Sequence, residues 1–138
     1  MTTKAVLENK IAAVKKYLKI LERYKGRSPQ DIERDIDLRG AVERYLYLTV
    51  QAAIDLADAV IAFRGFRKPA TMGEIFSILL EENVISESLT GRLTKMVGFR
   101  NILAHDYGKI DYDVVGDIMR TGRKDIEKFL TEVSRHIR

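Results

Sequence analysis

The chain has no cysteine among its 138 residues, so it forms neither disulfides nor thiolate metal sites. It has only two histidines, which lie far apart and outside any H-E-x-x-H pattern, so no set of metal ligands stands out. The longest stretch without a charged residue, 45–54, is too short to span a bilayer. Early charges at Glu8 and Lys10 argue against a secretory segment. We therefore expect a soluble cytoplasmic protein with no metal, cofactor or membrane partner.

Length and charge set broad limits on the fold and on possible partners. A chain of 138 residues is long enough for one hydrophobic core, and we expect residues 1–138 to form a single helical domain. The 24 Lys and Arg residues exceed the 20 Asp and Glu residues, which gives a formal net charge of +4. This charge permits binding to nucleic acid but does not demonstrate it.

Apolar residues recur at helical spacing along most of the chain, and no stretch alternates long enough to predict a strand. The predicted helices cover about 7–26, 29–63 with a bend near 37, 71–82, 86–105 and 111–133. Gly116 and Gly122 should weaken the last helix and allow it to bend. The sequence therefore predicts an all-α bundle of four to five mostly antiparallel helices joined by short loops.

Helix starts are marked by residues that can cap free backbone N–H groups. Ser28 followed by Pro29 is typical of a helix N-terminus, and Ser86 is placed to begin the fourth predicted helix. Thr71 and Glu74 have the spacing of a capping box, which predicts a helix start at Thr71.

A polar stripe follows one side of the long central helix. It consists of Arg44, Tyr47, Gln51, Asp55 and Asp58. A solvated face is the more common origin of such a pattern, and the wall of a site or an interface is the alternative. The loop after this helix carries Arg64, Arg67 and Lys68 around an aromatic residue, so it is either an ordinary exposed loop or a weak contact for phosphates and a base.

The strongest candidate for chemistry lies between Gly98 and Gly108. Asn101 and His105 are four residues apart, so on a helix they share one face, separated by roughly 40° around the axis. Arg100 lies between that face and the apolar one, and its long side chain can turn either way. The apolar residues expected in the core are Met96, Phe99, Ile102 and Leu103.

These side chains could cut RNA without a metal. Histidine exchanges protons near neutral pH, and arginine can hold a phosphate with two N–H groups. Cleavage needs a base for the 2′-hydroxyl, an acid for the departing 5′-oxygen and a cation at the phosphate, and it yields a 2′,3′-cyclic phosphate. One histidine cannot easily be both base and acid, and His136 is better explained as a surface residue at a helix C-terminus. A two-fold dimer would supply second copies of Arg100 and His105, although from the residues alone ordinary surface groups remain the more common explanation.

The sequence Arg100-Asn101-x-x-x-His105-x-Tyr107 resembles the R-N-x-x-x-H-x-Y signature of the HepT-like toxins in the HEPN superfamily. The similarity covers about 7–129 and includes the start of the long helix, 39–46. It implies a HEPN-like bundle that forms a homodimer, with both copies of the motif in the interface cleft. Arg100 and His105 would be the catalytic pair of a metal-independent endoribonuclease, and Asn101 would support them.

The resemblance also implies a partner and a modification. Such toxins are paired with a small nucleotidyltransferase antitoxin, which in some pairs transfers AMP onto the motif's tyrosine, here Tyr107. A negatively charged adenylate beside His105 would block the cleft and repel RNA. Taken alone, Tyr107 is explained as a packing tyrosine with its hydroxyl in water. The competing hypothesis for the whole chain is a non-catalytic helical dimer that binds nucleotides or docks a nucleotidyltransferase.

Overall fold

The computed structural model describes residues 2–137 and, for Tyr107, the backbone alone, so both ends of the predicted domain 1–138 lie outside the description. Over that range the chain is all-α, which confirms the predicted fold class. The α-helices are α1 (Lys4–Leu21), α2 (Pro29–Arg34), α3 (Ile36–Arg64), α4 (Ile75–Glu81), α5 (Glu87–His105), α6 (Tyr112–Asp117) and α7 (Arg123–Ser134). The helix count exceeds the predicted one because two of the predicted helices are divided.

The first division lies between α2 and α3, at the single extended residue Asp35. Its carboxylate oxygen accepts hydrogen bonds from the backbone N–H groups of Asp37 and Leu38, each at 3.1 Å. Asp35 is thus the N-cap of α3, and it lets the chain change direction within one residue. The predicted cap at Ser28 is confirmed, because its hydroxyl accepts a hydrogen bond from the N–H of Asp31.

Helix α3 is the central element of the bundle and packs against α1, α2, α4 and α5. Among the described residues it is the one helix long and apolar enough to meet the length and composition criteria for a membrane span, with a mean hydropathy of 1.6 over its best window. Because 61% of that window is buried within the bundle, its composition is also that of a core helix.

A compact apolar cluster fixes the end of α5 against the beginning of α3. Its buried members are Leu21, Ile32, Val42, Leu46, Phe99, Leu103, Val115, Ile118 and Met119. Tyr24 and Tyr45 stack beside it, with ring centroids 6.2 Å apart. This packing matters for function because it holds the last turns of α5 rigidly beside the polar stripe of α3.

The predicted capping box at Thr71 and Glu74 is wrong. The Thr71 side chain makes no capping hydrogen bond, and Glu74 instead accepts a hydrogen bond from the N–H of Ala70 at 2.8 Å. Glu74 also lies 3.7 Å from the Arg67 guanidinium, so its carboxylate faces the preceding loop. Residues 72–74 form a 3-10 turn, and α4 begins only at Ile75.

The second division lies where the sequence predicts a weakened last helix. A π-helical turn, Ile118–Gly122, separates α6 from α7. The two glycines here permit close packing as well. A Cβ on Gly122 would lie 2.9 Å from Ile118 Cγ2 and 3.1 Å from Met96 Cε, and one on Gly116 would lie 2.8 Å from Pro29 Cγ. Larger residues at these positions would push neighbouring helices apart.

Candidate active site

The motif occupies the last turns of α5, which ends at His105. Asn101 and His105 are exposed, Arg100 is half-buried, and Phe99 and Leu103 lie in the core. The predicted separation of a polar face from an apolar face is therefore correct. Met96 is also buried, whereas Ile102 is only partly buried.

Arg100 turns towards α3 and is held there by three side-chain hydrogen bonds. Its Nε donates to Gln51 Oε1 at 2.8 Å, and its Nη2 donates to the Tyr47 hydroxyl at 3.1 Å. Its Nη1 donates to Asn101 Oδ1 at 3.0 Å. A guanidinium has five N–H groups, so in the described part of the chain one N–H on each terminal nitrogen remains for an anion. The arginine is thus fixed in place yet able to grip a phosphate.

The part of the α3 polar stripe from Arg44 to Asp55 lies beside Arg100, whereas Asp58 is exposed. The Arg100 guanidinium carbon lies 5.0 Å from the centre of the Tyr47 ring, and that of Arg44 lies 5.7 Å from it. Gln51 is itself oriented by donating to Asp55 Oδ1 at 2.8 Å. Of the two explanations left open for this stripe, the described contacts favour the wall of a site over a solvated face.

A cavity of about 420 Å³ opens between the first half of α3 and the end of α5, next to Tyr47, whose hydroxyl accepts a hydrogen bond from Arg100. It is lined by Gly40, Glu43, Arg44, Tyr47, Leu103, Ala104 and His105. We call it the groove. It brings together the motif's histidine, an aromatic ring and charges of both signs, within a space suited to a small part of a larger ligand.

Glu43 is the groove residue that sequence reasoning missed as a functional group. Its Oε2 is enclosed and accepts no hydrogen bond from the described residues. Burial raises the pKa of the Glu43 carboxyl, and the positive charge of Arg39 opposes that rise. Burial likewise raises the pKa of the Tyr112 phenol, with the charge of Glu43 as a smaller cause. The available signal was spacing, because Gly40, Glu43 and Tyr47 fall on one face of a helix.

In the loop predicted to contact RNA, two of the three basic side chains already bind other groups of the protein. Arg67 binds Glu81 through two hydrogen bonds, at 2.7 and 3.0 Å. Arg64 donates to the backbone carbonyl of His136 at 2.8 Å and lies over the Phe66 ring. Lys68 is exposed. A role in RNA binding therefore stays a prediction for all three, with Lys68 the most accessible.

The remaining candidates lie elsewhere or outside the description. The second histidine, His136, follows α7 and lines a separate small cavity with Asn83 and Glu132, away from the groove. Tyr107 is in a 3-10 turn, Tyr107–Lys109, directly after α5, and its side chain lies outside the described residues. Within residues 2–137, no group of three or more His, Asp or Glu side chains is arranged to hold a metal ion.

An all-α bundle that presents an arginine, an asparagine and a histidine at the end of a core-packed helix defines a HEPN-type domain. Comparison with known proteins agrees, since the family described as ribonuclease HepT-like matches residues 14–133. The chain belongs to this ribonuclease HepT-like family.

Two curated relatives are similar over most of their length. The mRNA nuclease HepT of Shewanella oneidensis is 30% identical over 125 residues, which cover 91% of this chain and 93% of the relative. The tRNA nuclease HepT of Aphanizomenon flos-aquae is 28% identical over 106 residues, covering 77% and 72%. The fold also matches a solved structure of the tri-AMPylated Shewanella oneidensis HEPN toxin in complex with MNT antitoxin, with a TM-score of 0.85, 29% identity, and coverage of 94% of this chain and 96% of that one.

Proposed function

We propose that this chain is the toxin of a toxin–antitoxin pair and that it is a metal-independent endoribonuclease acting in the cytoplasm as a single-domain protomer. The observation that carries the proposal is the fixed Arg100 guanidinium, held by Gln51, Tyr47 and Asn101 beside a groove lined by His105. The names of the relatives support the ribonuclease class, because both are nucleases that act on RNA.

In this proposal each side chain has one task. Arg100 binds the scissile phosphate and stabilises the extra negative charge that develops on it during the reaction. His105 donates a proton to the departing 5′-oxygen as the 2′-oxygen attacks phosphorus. Asn101 positions the arginine by accepting the hydrogen bond from its Nη1. The products are a 2′,3′-cyclic phosphate and a 5′-hydroxyl.

The active form is a homodimer whose shared cleft holds both copies of Arg100 and His105. The exposure of Asn101 and His105 supports this. In the part of the chain that the structure describes, no element covers these two residues, so this face of α5 can contact a second copy. A two-fold contact over the groove would close it and exclude water from the phosphate.

The partner of the dimer is a nucleotidyltransferase antitoxin that neutralises it by transferring AMP to Tyr107. Support comes from the similar solved complex, in which an AMPylated HEPN toxin is bound to an MNT antitoxin. The Tyr107 backbone follows His105 by two residues, so an adenylate there would bring negative charge to the end of α5. Co-expression with the nucleotidyltransferase should add AMP to wild type but not to Tyr107→Phe, as read by intact mass.

The test of the ribonuclease is cleavage of total bacterial RNA by the purified, unmodified protein in EDTA. Wild type should cut RNA, and His105→Ala should slow cutting by about a hundredfold or more. His136→Ala is the matched control, because it removes the other histidine and should cut at the wild-type rate. If wild type leaves the RNA intact, or if His105→Ala cuts as fast as wild type, the proposal is wrong.

A further inference from the structure

The groove contains a second titratable group besides His105. Glu43 lies on α3 and His105 ends α5, and both residues line the same cavity of about 420 Å³. Transfer of the phosphoryl group from the 5′-oxygen to the 2′-oxygen needs two proton transfers at opposite ends of the scissile bond. The geometry therefore places two proton-transfer groups of different chemical type in the groove of one protomer.

Glu43 is in an unusual state for a glutamate beside a groove. Its Oε2 is enclosed and has no hydrogen-bond partner among the described residues, although Glu43 itself lines the groove. A carboxylate that is poorly solvated and poorly hydrogen-bonded is a stronger proton acceptor than one in water. A carboxylate kept in this state lowers the stability of the fold, and such destabilising groups are concentrated at functional sites.

The surroundings of Glu43 leave it the negative group of the groove. Around it lie Arg39 and Arg44 on α3, Tyr112 on α6 and His105 on α5. The exposed Glu33 on α2 acts on Tyr112, and it is not among the groups that shift the pKa of Glu43. Burial is the main cause that raises the carboxyl pKa, and Arg39 limits the rise. Among the described residues, no hydrogen bond joins Arg39 to Glu43, so Arg39 does not occupy the carboxylate.

We propose that Glu43 is the general base of the ribonuclease and that His105 of the same protomer is its general acid. This inference rests on the proposed function. The Glu43 carboxylate takes the proton of the 2′-hydroxyl, and the 2′-oxygen forms a bond to phosphorus. The bond between phosphorus and the 5′-oxygen breaks, and the protonated imidazole of His105 gives its proton to that oxygen. Water then returns the proton from Glu43 to His105, so the enzyme ends as it began.

This assignment gives the dimer a different task from supplying a second histidine. Each protomer holds its own base and acid, and the second copy contributes positive charge and encloses the phosphate. Cleavage then needs Glu43 and His105 in the same chain. If the second copy of His105 were the base instead, cleavage would not need Glu43.

The experiment compares Glu43→Gln, Glu43→Asp and wild type in the full-length dimer. A mixed-sequence RNA oligonucleotide that contains a cleavage site mapped from total RNA is cut in EDTA from acidic to basic pH. Glu43→Gln should lower the single-turnover rate by about a hundredfold to ten-thousandfold. It should also abolish the acidic limb of the pH profile, in which the rate increases with pH as the general base loses its proton. Glu43→Asp, which keeps the carboxylate, should recover part of the rate and the acidic limb.

Matched controls separate a chemical role from a structural one. Glu33→Gln removes an exposed glutamate on α2 and should leave the rate and its pH dependence at wild-type values. Binding to the same RNA with every 2′-hydroxyl methylated should be unchanged within about threefold in Glu43→Gln, since the base acts on the reaction and not on affinity. A melting temperature at or above that of wild type would show that the variant is folded.

Two results would overturn the assignment, and they differ in what else they remove. If Glu43→Gln keeps the wild-type rate and acidic limb while His105→Ala is inactive, Glu43 is not the base but the ribonuclease proposal stands. If wild type cuts no RNA in EDTA, the ribonuclease proposal fails and the assignment fails with it.

Discussion

At the scale of single residues, the proposed catalytic role of Arg100 depends on how firmly its side chain is held. A long arginine side chain loses rotamer freedom when it binds a phosphate, and that loss is smaller when the side chain is already fixed. Hydrogen bonds to Gln51, Tyr47 and Asn101 fix it before any substrate arrives. The charge of the guanidinium is therefore presented at one place, which is what stabilisation of a transition state requires.

Gln51→Leu tests this positioning role. The change removes the acceptor for Arg100 Nε with little change in side-chain volume, and we expect cleavage to slow by about tenfold, the loss of one charge-assisted hydrogen bond. Gln30→Leu, at an exposed position on α2, is the control and should have no effect. An unaltered rate in Gln51→Leu would mean that Arg100 does not depend on this contact.

Glu43→Gln tests the stability cost of the enclosed carboxylate. Burial raises the pKa of this group in the folded protein, so the folded state holds the proton more tightly than the unfolded chain. The contribution of that proton to stability is present at acidic pH and is lost as pH rises through the raised pKa. Glu43→Gln should therefore melt at a higher temperature than wild type at neutral pH.

The same difference in melting temperature should disappear once the pH falls below the ordinary range of a carboxyl group, where wild type is also neutral. Glu33→Gln provides the comparison. Because Glu33 is exposed, this variant should have the wild-type melting temperature at every pH. A lower melting temperature for Glu43→Gln at neutral pH would contradict the view that its charge is poorly solvated.

The residue-scale prediction from sequence succeeded where the relevant distance was local. Four-residue spacing placed Asn101 and His105 on one exposed face, because helix geometry alone determines that relation. The two partners of Arg100 on α3 are 49 and 53 residues away in the chain, and no local rule specifies such contacts. Glu43 could be placed on the groove face by spacing, but its enclosure depends on how α3 packs in the bundle.

At the scale of elements, close packing at the π-helical turn connects the last helix to the site. Gly122 lies against Ile118 and against Met96, which is on the same helix as the motif. The sequence predicted an interruption here because glycine is a poor helix former. It could not reveal that Gly122 also makes room for a neighbouring helix, since that depends on which helices meet.

Gly122→Ala should destabilise the protein even though alanine favours helices. The helical preference gains about 1 kcal/mol, whereas overpacking of a close contact costs about 1–3 kcal/mol. The stiff β-branched Ile118 cannot easily move away from the added methyl group. We therefore expect a net loss of about 1 kcal/mol, measured by urea unfolding.

Gly91→Ala is the matched control for this prediction. Gly91 is an exposed helical glycine on α5, and an added Cβ meets no atom within 4 Å. Here only the helical preference changes, so stability should rise by about 0.5–1 kcal/mol. If the two substitutions changed stability equally, close packing would not be the reason that residue 122 is a glycine.

Helix ends were predicted well where one residue acts through its own side chain, as at Ser28 and Ser86. The break at Asp35 was placed only approximately, because the apolar pattern runs on across it. The error at Thr71 has a similar origin. Glu74 has the spacing of a capping box, but in the fold its carboxylate binds the Ala70 N–H and faces Arg67.

At the scale of the whole molecule, the proposed cleft belongs to two chains. Mixed dimers, made from differently tagged wild-type and Arg100→Ala chains, test whether the two guanidiniums act together. In a shared cleft the loss of one guanidinium should lower the rate by about tenfold or more relative to the wild-type dimer. Independent sites would instead leave half the activity.

The control for the mixed dimer is the same preparation with Arg23→Ala, which removes an exposed arginine outside the groove. Its activity should equal that of the wild-type dimer. Retention of half the activity in the Arg100→Ala mixture, with this control normal, would contradict a composite site while leaving ribonuclease activity intact.

The most direct test of the central claim is the chemistry of the RNA ends that wild type produces in EDTA. An imidazole and a guanidinium acting through the RNA's own 2′-hydroxyl should leave 2′,3′-cyclic phosphate and 5′-hydroxyl ends, and methylation of the 2′-hydroxyls should prevent cutting. Ends that carry a 5′-phosphate and a 3′-hydroxyl, or cutting that appears only when a divalent metal is added, would contradict it.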